Sequence, residues 1–88
     1  MSEQKRIEQT LRSMPPKILE AYLLDLGGKR ASEGRVIGPG WQAHLERLED
    51  FQLGSIRVGQ VHLTLEGEAE VLDALMPRLE MKLLRAGA

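Results

Sequence analysis

The segment FQLGSIRVGQVHLTL, residues 51–65, decides the fold, because its apolar side chains fall on alternate positions. This period of two is typical of a strand with one buried face. Two glycine-led breaks, Gly54-Ser55 and Gly59-Gln60, interrupt it, and either suits a two-residue hairpin turn. A turn at Gly59-Gln60 pairs Val58 with Val61 and leaves Gly54 as a bulge, which is the arrangement we predict. The segment therefore predicts an antiparallel sheet.

Upstream of this segment, residues 16–26 are predicted to form a helix. Their apolar side chains recur at intervals of three and four, at Ile18, Leu19, Tyr22, Leu23 and Leu26. Pro15-Pro16 suits a helix start and Ser13 suits a cap, while Gly27-Gly28 suits a helix end.

Residues 6–12 fit two structures. Ile7 and Leu11 are four apart, as in a helix, but Ile7, Gln9 and Leu11 also alternate, as in an edge strand. A strand is the more economical choice, because a second helix would crowd against Pro15.

Between the helix and the deciding segment, residues 29–40 are rich in loop signals and contain one short strand, residues 35–37. Trp41, Ala43 and Leu45 then alternate with polar residues. Leu48 reverses this parity, so we predict a bulge near Arg47 and a turn at Glu49-Asp50.

The last segment carries an apolar stripe at helical spacing from Leu72 to Leu83, with acidic residues near its start. Pro77 lies inside the stripe, and we predict a helix that continues across it with a kink. The alternative is that residues 78–84 form an edge strand, since Leu79, Met81 and Leu83 also alternate.

Together these elements predict a single α+β domain over residues 1–88. A curved antiparallel sheet of four to five strands would carry two helices on one face, in the order strand, helix, strands, helix. The predicted core is Ile18, Tyr22, Leu26, Trp41, Ala43, Leu45, Ile56, Val58, Val61, Leu63, Leu65, Leu72, Leu75 and Leu79.

Composition excludes several classes of protein. The chain has no cysteine, and its 12 Lys and Arg against 13 Asp and Glu give a net charge of -1. There is accordingly no thiol chemistry and no bulk attraction to nucleic acid or to an anionic membrane. Without a signal peptide or a long apolar run we expect a cytoplasmic protein. The excess of Arg over Lys and the absence of Asn suit a thermophile.

Few residues indicate chemistry. The two histidines, His44 and His62, fall on the polar side of their strands, where a metal site with Glu46 or Glu66 is conceivable but surface histidines are the simpler interpretation. No catalytic constellation or cofactor motif is present, so we expect a non-enzymatic protein without a cofactor. We predict a polar interaction face on the sheet, formed by Arg35, Gln42, His44, Arg47, Arg57 and His62.

Several short motifs carry a resemblance to a known family. They are Pro15-Pro16, Gly27-Gly28, Gly40-Trp41, Gly54-Ser55 with Gly59, Glu66-Gly67-Glu68, and Leu83-Leu84-Arg85-Ala86-Gly87. Their spacing resembles a domain found at the C-terminus of proteins related to the ubiquitin-like small subunit of molybdopterin synthase in thermophilic bacteria. No ubiquitin-like half precedes Met1, so we expect the accessory domain to stand alone.

The resemblance implies a fold of the TATA-binding-protein type and a role close to sulfur transfer. We therefore expect a protein-interaction or accessory module whose partner is a sulfur carrier or a second copy of the chain. Two alternatives remain: a small-ligand binder that uses the concave face of the sheet, and a weak nucleic-acid binder through an arginine strip formed by Arg30, Arg35, Arg47 and Arg57. The terminal Gly87-Ala88 differs from the Gly-Gly end of sulfur carriers, so we expect no reactive terminal carboxylate.

Overall fold

A computed structural model describes residues 3–85. The elements in chain order are β1 (Gln4–Arg12), α1 (Pro16–Asp25), β2 (Lys29–Ser32), β3 (Arg35–Gly38), β4 (Trp41–Leu53), β5 (Ile56–Glu68) and α2 (Ala69–Arg85). The prediction of an α+β chain with an antiparallel sheet and two helices is confirmed. Residues 86–88 of the predicted tail lie outside the described part.

The five strands form one sheet in the order β1-β5-β4-β3-β2, and every neighbouring pair is antiparallel. The strand at residues 6–12 and the strand at 35–37 are both confirmed, as β1 and β3. β2 is an addition, because residues 29–32 were expected to be loop. It pairs with β3 across a turn where Gly34 has φ 75°.

Both helices pack against the same side of the sheet, which we call the helix side. The core between them consists of Leu11, Met14, Leu19, Leu23, Leu26, Val36, Trp41, Ala43, Leu45, Val61, Leu63, Leu65, Leu72, Leu75, Leu79 and Leu83. The indole of Trp41 packs so closely on Gly38 that a Cβ there would lie 2.1 Å from it. Neither helix in residues 3–85 is long and apolar enough to cross a membrane.

The predicted position of the hairpin turn is wrong. The two-residue turn lies at Gly54-Ser55, where Gly54 has φ 63°, and Leu53 pairs with Ile56 across it. Glycine at the first corner of a two-residue turn supplies the positive φ that such hairpins need. Gly59 instead continues β5, so Val58 pairs with Phe51 rather than with Val61.

The predicted turn at Glu49-Asp50 is a β-bulge within β4. Leu48 pairs with Gln60 and Phe51 pairs with Val58, so Glu49 and Asp50 together oppose Gly59. A bulge of two residues against one shifts the side-chain alternation of its strand by one position. The bulge predicted near Arg47 is therefore present two residues further on, and it takes the place of the predicted turn.

Both predicted helices are present, as α1 and α2. α1 begins after Pro15, and no side chain caps it, which corrects the cap predicted at Ser13. Ser13 instead has φ 62° and donates its N–H to the carbonyl of Gly59 at 2.8 Å. α2 runs through Pro77 without a break, so the helix is confirmed over the alternative edge strand.

Four of the predicted core residues are not buried, and six buried residues were not in the predicted core: Leu11, Met14, Leu19, Leu23, Val36 and Leu83. Ile18 and Ile56 are 42% and 62% exposed, and Tyr22 and Val58 are only half-buried. α1 is apolar over a wide arc, and the packing against the sheet selects Leu19 and Leu23 rather than Ile18 and Tyr22. Ile56 and Val58 lie away from the helices because β5 continues through Gly59 without a turn, so they share a face with Gln60 and His62 rather than with Val61 and Leu63.

Candidate interaction surface

Within residues 3–85, neither helix covers the sheet face opposite α1 and α2, here called the outer face. Side chains alternate along each strand, so the residues between the buried ones lie on this face. They are Arg6, Glu8, Thr10 and Arg12 of β1, Gln60, His62, Thr64 and Glu66 of β5, Gln42, His44, Glu46 and Leu48 of β4, and Arg35 and Ile37 of β3.

His62 lies at the centre of a hydrogen-bonded group on the outer face. Its Nε2 lies 3.1 Å from Oε1 of Glu8, and its Nδ1 lies 3.1 Å from Oγ1 of Thr10. In the neutral ring Nε2 donates to Glu8 while Thr10 donates to Nδ1. The hydrogen bond from His62, with the positive charge of Arg6, lowers the pKa of Glu8 below its ordinary value. These contacts therefore favour the ionised form of the Glu8 side chain on β1.

Three of the predicted face residues lie close together on the part of the outer face formed by β3 and β4. Arg35 lies opposite His44 in the pairing of β3 with β4, and its Nη2 donates to Oε1 of Gln42 at 2.9 Å. These residues border a shallow polar cleft of about 450 Å³ that also includes Thr64 and Glu66. His62 shares their face, on the neighbouring strand β5.

Arg47 and Arg57 do not join this group. Arg47 is paired with the buried Val61, so it lies on the helix side, and Arg57 follows the same alternation along β5. Arg30 is likewise paired with the buried Val36, and its Nε lies 3.5 Å from a carboxylate oxygen of Glu20 on α1. Of the four arginines expected to form a basic strip, the outer face holds only Arg35.

Arg47 instead borders a groove of about 700 Å³ between the start of α1 and the sheet. Met14 and Leu45 give this groove an apolar floor, and Lys17 adds a second cation. The groove therefore lies on the helix side, whereas a small-ligand site was expected on the concave face of the sheet.

The two histidines are closer in the sheet than expected, because β4 and β5 are adjacent. His62 lies opposite Glu46 and His44 lies opposite Thr64. Even so, no group of three His, Asp or Glu side chains within residues 3–85 is arranged to hold a metal ion. The hydrogen-bonded group around His62 accounts for that side chain without a metal.

The far end of the outer face is apolar. Beyond the bulge, β4 and β5 continue as a two-stranded arm in which Phe51 pairs with Val58 and Leu53 pairs with Ile56. Val58 and Ile56 continue the alternation of Gln60 and His62, so they lie on the outer face together with their partners Phe51 and Leu53. We call them the arm patch: Phe51, Leu53, Ile56 and Val58. Leu53 and Ile56 are 66% and 62% exposed.

The arm patch was not predicted as a surface, although the sequence contains its signal. Leu48 reverses the parity of β4, and two further residues precede Phe51. Those features indicate a bulge, and with the turn at Gly54-Ser55 they place Phe51 and Leu53 on the polar side of the sheet. The geometry can bind a protein surface, since it joins exposed apolar side chains to a polar, charge-mixed face.

Comparison with known sequences shows the family of the chain. No curated protein sequence matches the chain. A family model described as archaeal MoaD-like protein matches residues 7–88, which is nearly the whole sequence. The chain therefore belongs to the archaeal MoaD-like protein family.

Proposed function

We propose that the protein is a non-enzymatic interaction module that binds a sulfur-carrier protein through the arm patch. The family links the chain to the small proteins of molybdopterin-related sulfur transfer. Its role there is to hold a partner, because the outer face presents apolar side chains beside a polar surface. The observation that carries the proposal is the arm patch itself.

Leu53 and Ile56 make this patch a favourable docking surface. Both are aliphatic and about two-thirds exposed at the tip of the arm, where neither stabilises the core. Full burial of such a side chain is worth about 1.5–3 kcal/mol, so covering the exposed part of each contributes roughly 1–2 kcal/mol. A partner that covers both gains roughly 2–4 kcal/mol from these two side chains.

The arm is ordered before any partner arrives. The guanidinium of Arg12 lies over the ring of Phe51, and Nε2 of Gln60 donates to the carbonyl of Glu49 at 3.0 Å. Both contacts hold the arm at the bulge, where β1 ends. A surface that is already ordered loses less conformational entropy on binding, which favours affinity.

The test is calorimetric titration of a purified ubiquitin-like sulfur-carrier protein into this chain. The variant Leu53→Thr/Ile56→Thr removes apolar area while keeping side chains that suit a strand, and we expect it to weaken binding by about tenfold or more. The matched control is Met81→Gln/Leu84→Gln, which removes exposed apolar residues from α2 instead. An equal affinity of the two double variants, or no binding by the unaltered chain, would contradict the proposal.

The helix-side groove supports a second candidate function, the binding of a small ligand. Its volume of about 700 Å³ lies within the range of small-molecule sites. Met14 and Leu45 suit an apolar body, while Lys17 and Arg47 suit an anionic group. Thermal melts with pterins and nucleotides test this function, and a shift that Arg47→Gln abolishes would favour it.

A further inference from the structure

β1 forms an open edge of the sheet. It is the first strand in the order β1-β5-β4-β3-β2, and it pairs with β5 through all nine of its residues. The carbonyl of Glu3 and the N–H of Ser13 both bond toward the β5 side. Backbone groups alternate along a strand, so the N–H and C=O of the even-numbered residues from Gln4 to Arg12 face away from β5. An open row of donors and acceptors can pair with another strand.

The other edges are less suitable. β2 at the opposite edge has four residues and a register shift. β4 is free beyond its pairing with β3, but the bulge at Glu49 and Asp50 interrupts it. Within residues 3–85, β1 is therefore the long edge with a regular backbone.

We propose that two copies of this chain pair antiparallel through β1, with the two-fold axis at Ile7. In this register the even residues form the hydrogen-bonded pairs: Gln4 with the partner's Thr10, Arg6 with the partner's Glu8, and the two symmetry-related pairs. Each such pair exchanges two backbone hydrogen bonds, so the contact contains about eight. The result is a continuous sheet of both copies, with all helices on one side.

The charges of β1 select this register. Arg6 lies opposite the partner's Glu8 twice, once on each side of the axis, and opposite charges facing each other stabilise a strand pair. Registers with the axis at Arg6 or at Glu8 place that residue against its own copy. A register with the axis at Gln9 places Arg6 against the partner's Arg12. An axis at Thr10 also joins opposite charges, Glu8 with the partner's Arg12, but it forms fewer hydrogen-bonded pairs along β1. The axis at Ile7 is therefore the longest pairing that joins opposite charges without facing like ones.

The helix side of the pair is compatible with the same axis. Ile7 is half-buried at the border of the core. At the axis it would meet the partner's Ile7 in a pair without hydrogen bonds, where side chains come closest. Lys5 would lie opposite the partner's Gln9, which adds no like-charge contact. This self-complementarity is the reason to place a second copy on β1 rather than an unrelated strand.

Analytical ultracentrifugation of the full chain with charge-reversal variants tests the proposal. The unaltered chain is expected to show a concentration-dependent dimer. Arg6→Glu places Glu against Glu at both pairs and Glu8→Arg places Arg against Arg, so each single variant should weaken the dimer about tenfold. The double variant Arg6→Glu/Glu8→Arg should dimerise as the unaltered chain does. An equimolar mixture of the two single variants should form a heterodimer, because both cross-strand pairs then join opposite charges.

These measurements test dimerisation through β1 separately from partner binding at the arm patch. A monomer at about 1 mM chain, single variants that dimerise normally, or a double variant that does not recover would each overturn it. The proposal would also be overturned if β1 paired with a strand of a different protein and not with a second copy of this chain. Leu53→Thr/Ile56→Thr should leave the dimer unchanged, and Arg6→Glu should leave binding at the arm patch unchanged.

Discussion

The guanidinium of Arg12 lies 3.8 Å from the centroid of the Phe51 ring, which joins the end of β1 to the arm beyond the bulge. The contact is possible because the bulge moves Phe51 to the outer face, on the side where Arg12 lies. An exposed cation–π contact is worth about 0.5–1 kcal/mol, and this one also orders the arm.

Arg12→Gln should therefore lower the free energy of unfolding by about 0.5–1 kcal/mol and increase amide exchange in the arm. Chemical denaturation and hydrogen exchange measure the two effects. Arg57→Gln is the matched control, because Arg57 lies on the other face of the arm. If both variants lose stability equally, the contact between Arg12 and Phe51 is not the cause.

Because the hairpin turn lies at Gly54-Ser55, alanine substitutions at Gly54 and Gly59 should have opposite effects on stability. Gly54 has φ 63°, which L side chains adopt with strain, so Gly54→Ala should cost about 1–2 kcal/mol. Gly59 lies in regular strand with nothing within 4 Å of an added Cβ, so Gly59→Ala should be neutral or stabilise by roughly 0.5–1 kcal/mol. Thermal unfolding of both variants measures the difference. The reverse order would place the turn at Gly59-Gln60.

These two glycines also show how far the sequence predicts the fold. Alternation within a strand is local, so β1, β3 and the strands around residues 41–65 could be predicted from it. The register between β4 and β5 is not local, because Gly54-Ser55 and Gly59-Gln60 both suit a turn and each pairs apolar residues. The choice depends on whether Glu49 and Asp50 form a turn or a bulge, and packing of the whole sheet decides that.

The residues on the outer face differ from the predicted ones because the register between β4 and β5 was not predictable. An error of one residue in register reverses which face every later side chain occupies. Ile56 and Val58 were therefore expected in the core, but together with Phe51 and Leu53 they form a surface. Gln42 and His44 lie on the predicted face, where the pattern of β4 is unbroken. Arg57 lies on the helix side because β5 continues through Gly59 instead of turning there, and Arg47 lies on the helix side opposite Val61.

The selection of one face of α1 is tested by two neighbouring residues. Leu19 is fully buried, so Leu19→Ala should cost about 2–5 kcal/mol through lost burial and the cavity it leaves. Ile18 is 42% exposed, and Ile18→Ala should cost about 1 kcal/mol or less. Denaturant unfolding of the two variants measures the ratio. Equal losses would indicate that α1 is rotated and buries Ile18, as the helical spacing of its apolar residues predicts.

The low pKa of Glu8 predicts a pH dependence of stability. His62 and Arg6 favour the ionised carboxylate in the folded chain, so its pKa there lies below the ordinary value of 4.5. A group with a lowered pKa stabilises the fold above its unfolded value, and this contribution is lost as the pH falls through the folded pKa. Glu8→Gln should therefore show a smaller loss of stability below pH 4.5 than the unaltered chain.

The measurement is the free energy of unfolding against pH for both chains, at protein concentrations low enough to exclude association. His62→Gln provides the second readout, since it removes the largest cause of the shift. An NMR titration of that variant should show the pKa of Glu8 moving back toward its ordinary value. An unchanged titration would mean that the hydrogen bond from His62 does not form in solution.

Pro77 lies in the middle of α2 and predicts a stabilising substitution. Proline lacks the N–H that would bond to the carbonyl of Asp73, and in a helix interior it is about 3 kcal/mol less favourable than alanine. The side chain is exposed, so Pro77→Ala loses little packing, although the unfolded chain gains roughly 0.4–1 kcal/mol of freedom. We expect a net gain of about 2 kcal/mol in thermal unfolding. A loss of stability would mean that the proline is needed to seat Leu79 and Leu83, the buried residues that follow it on α2, against the sheet.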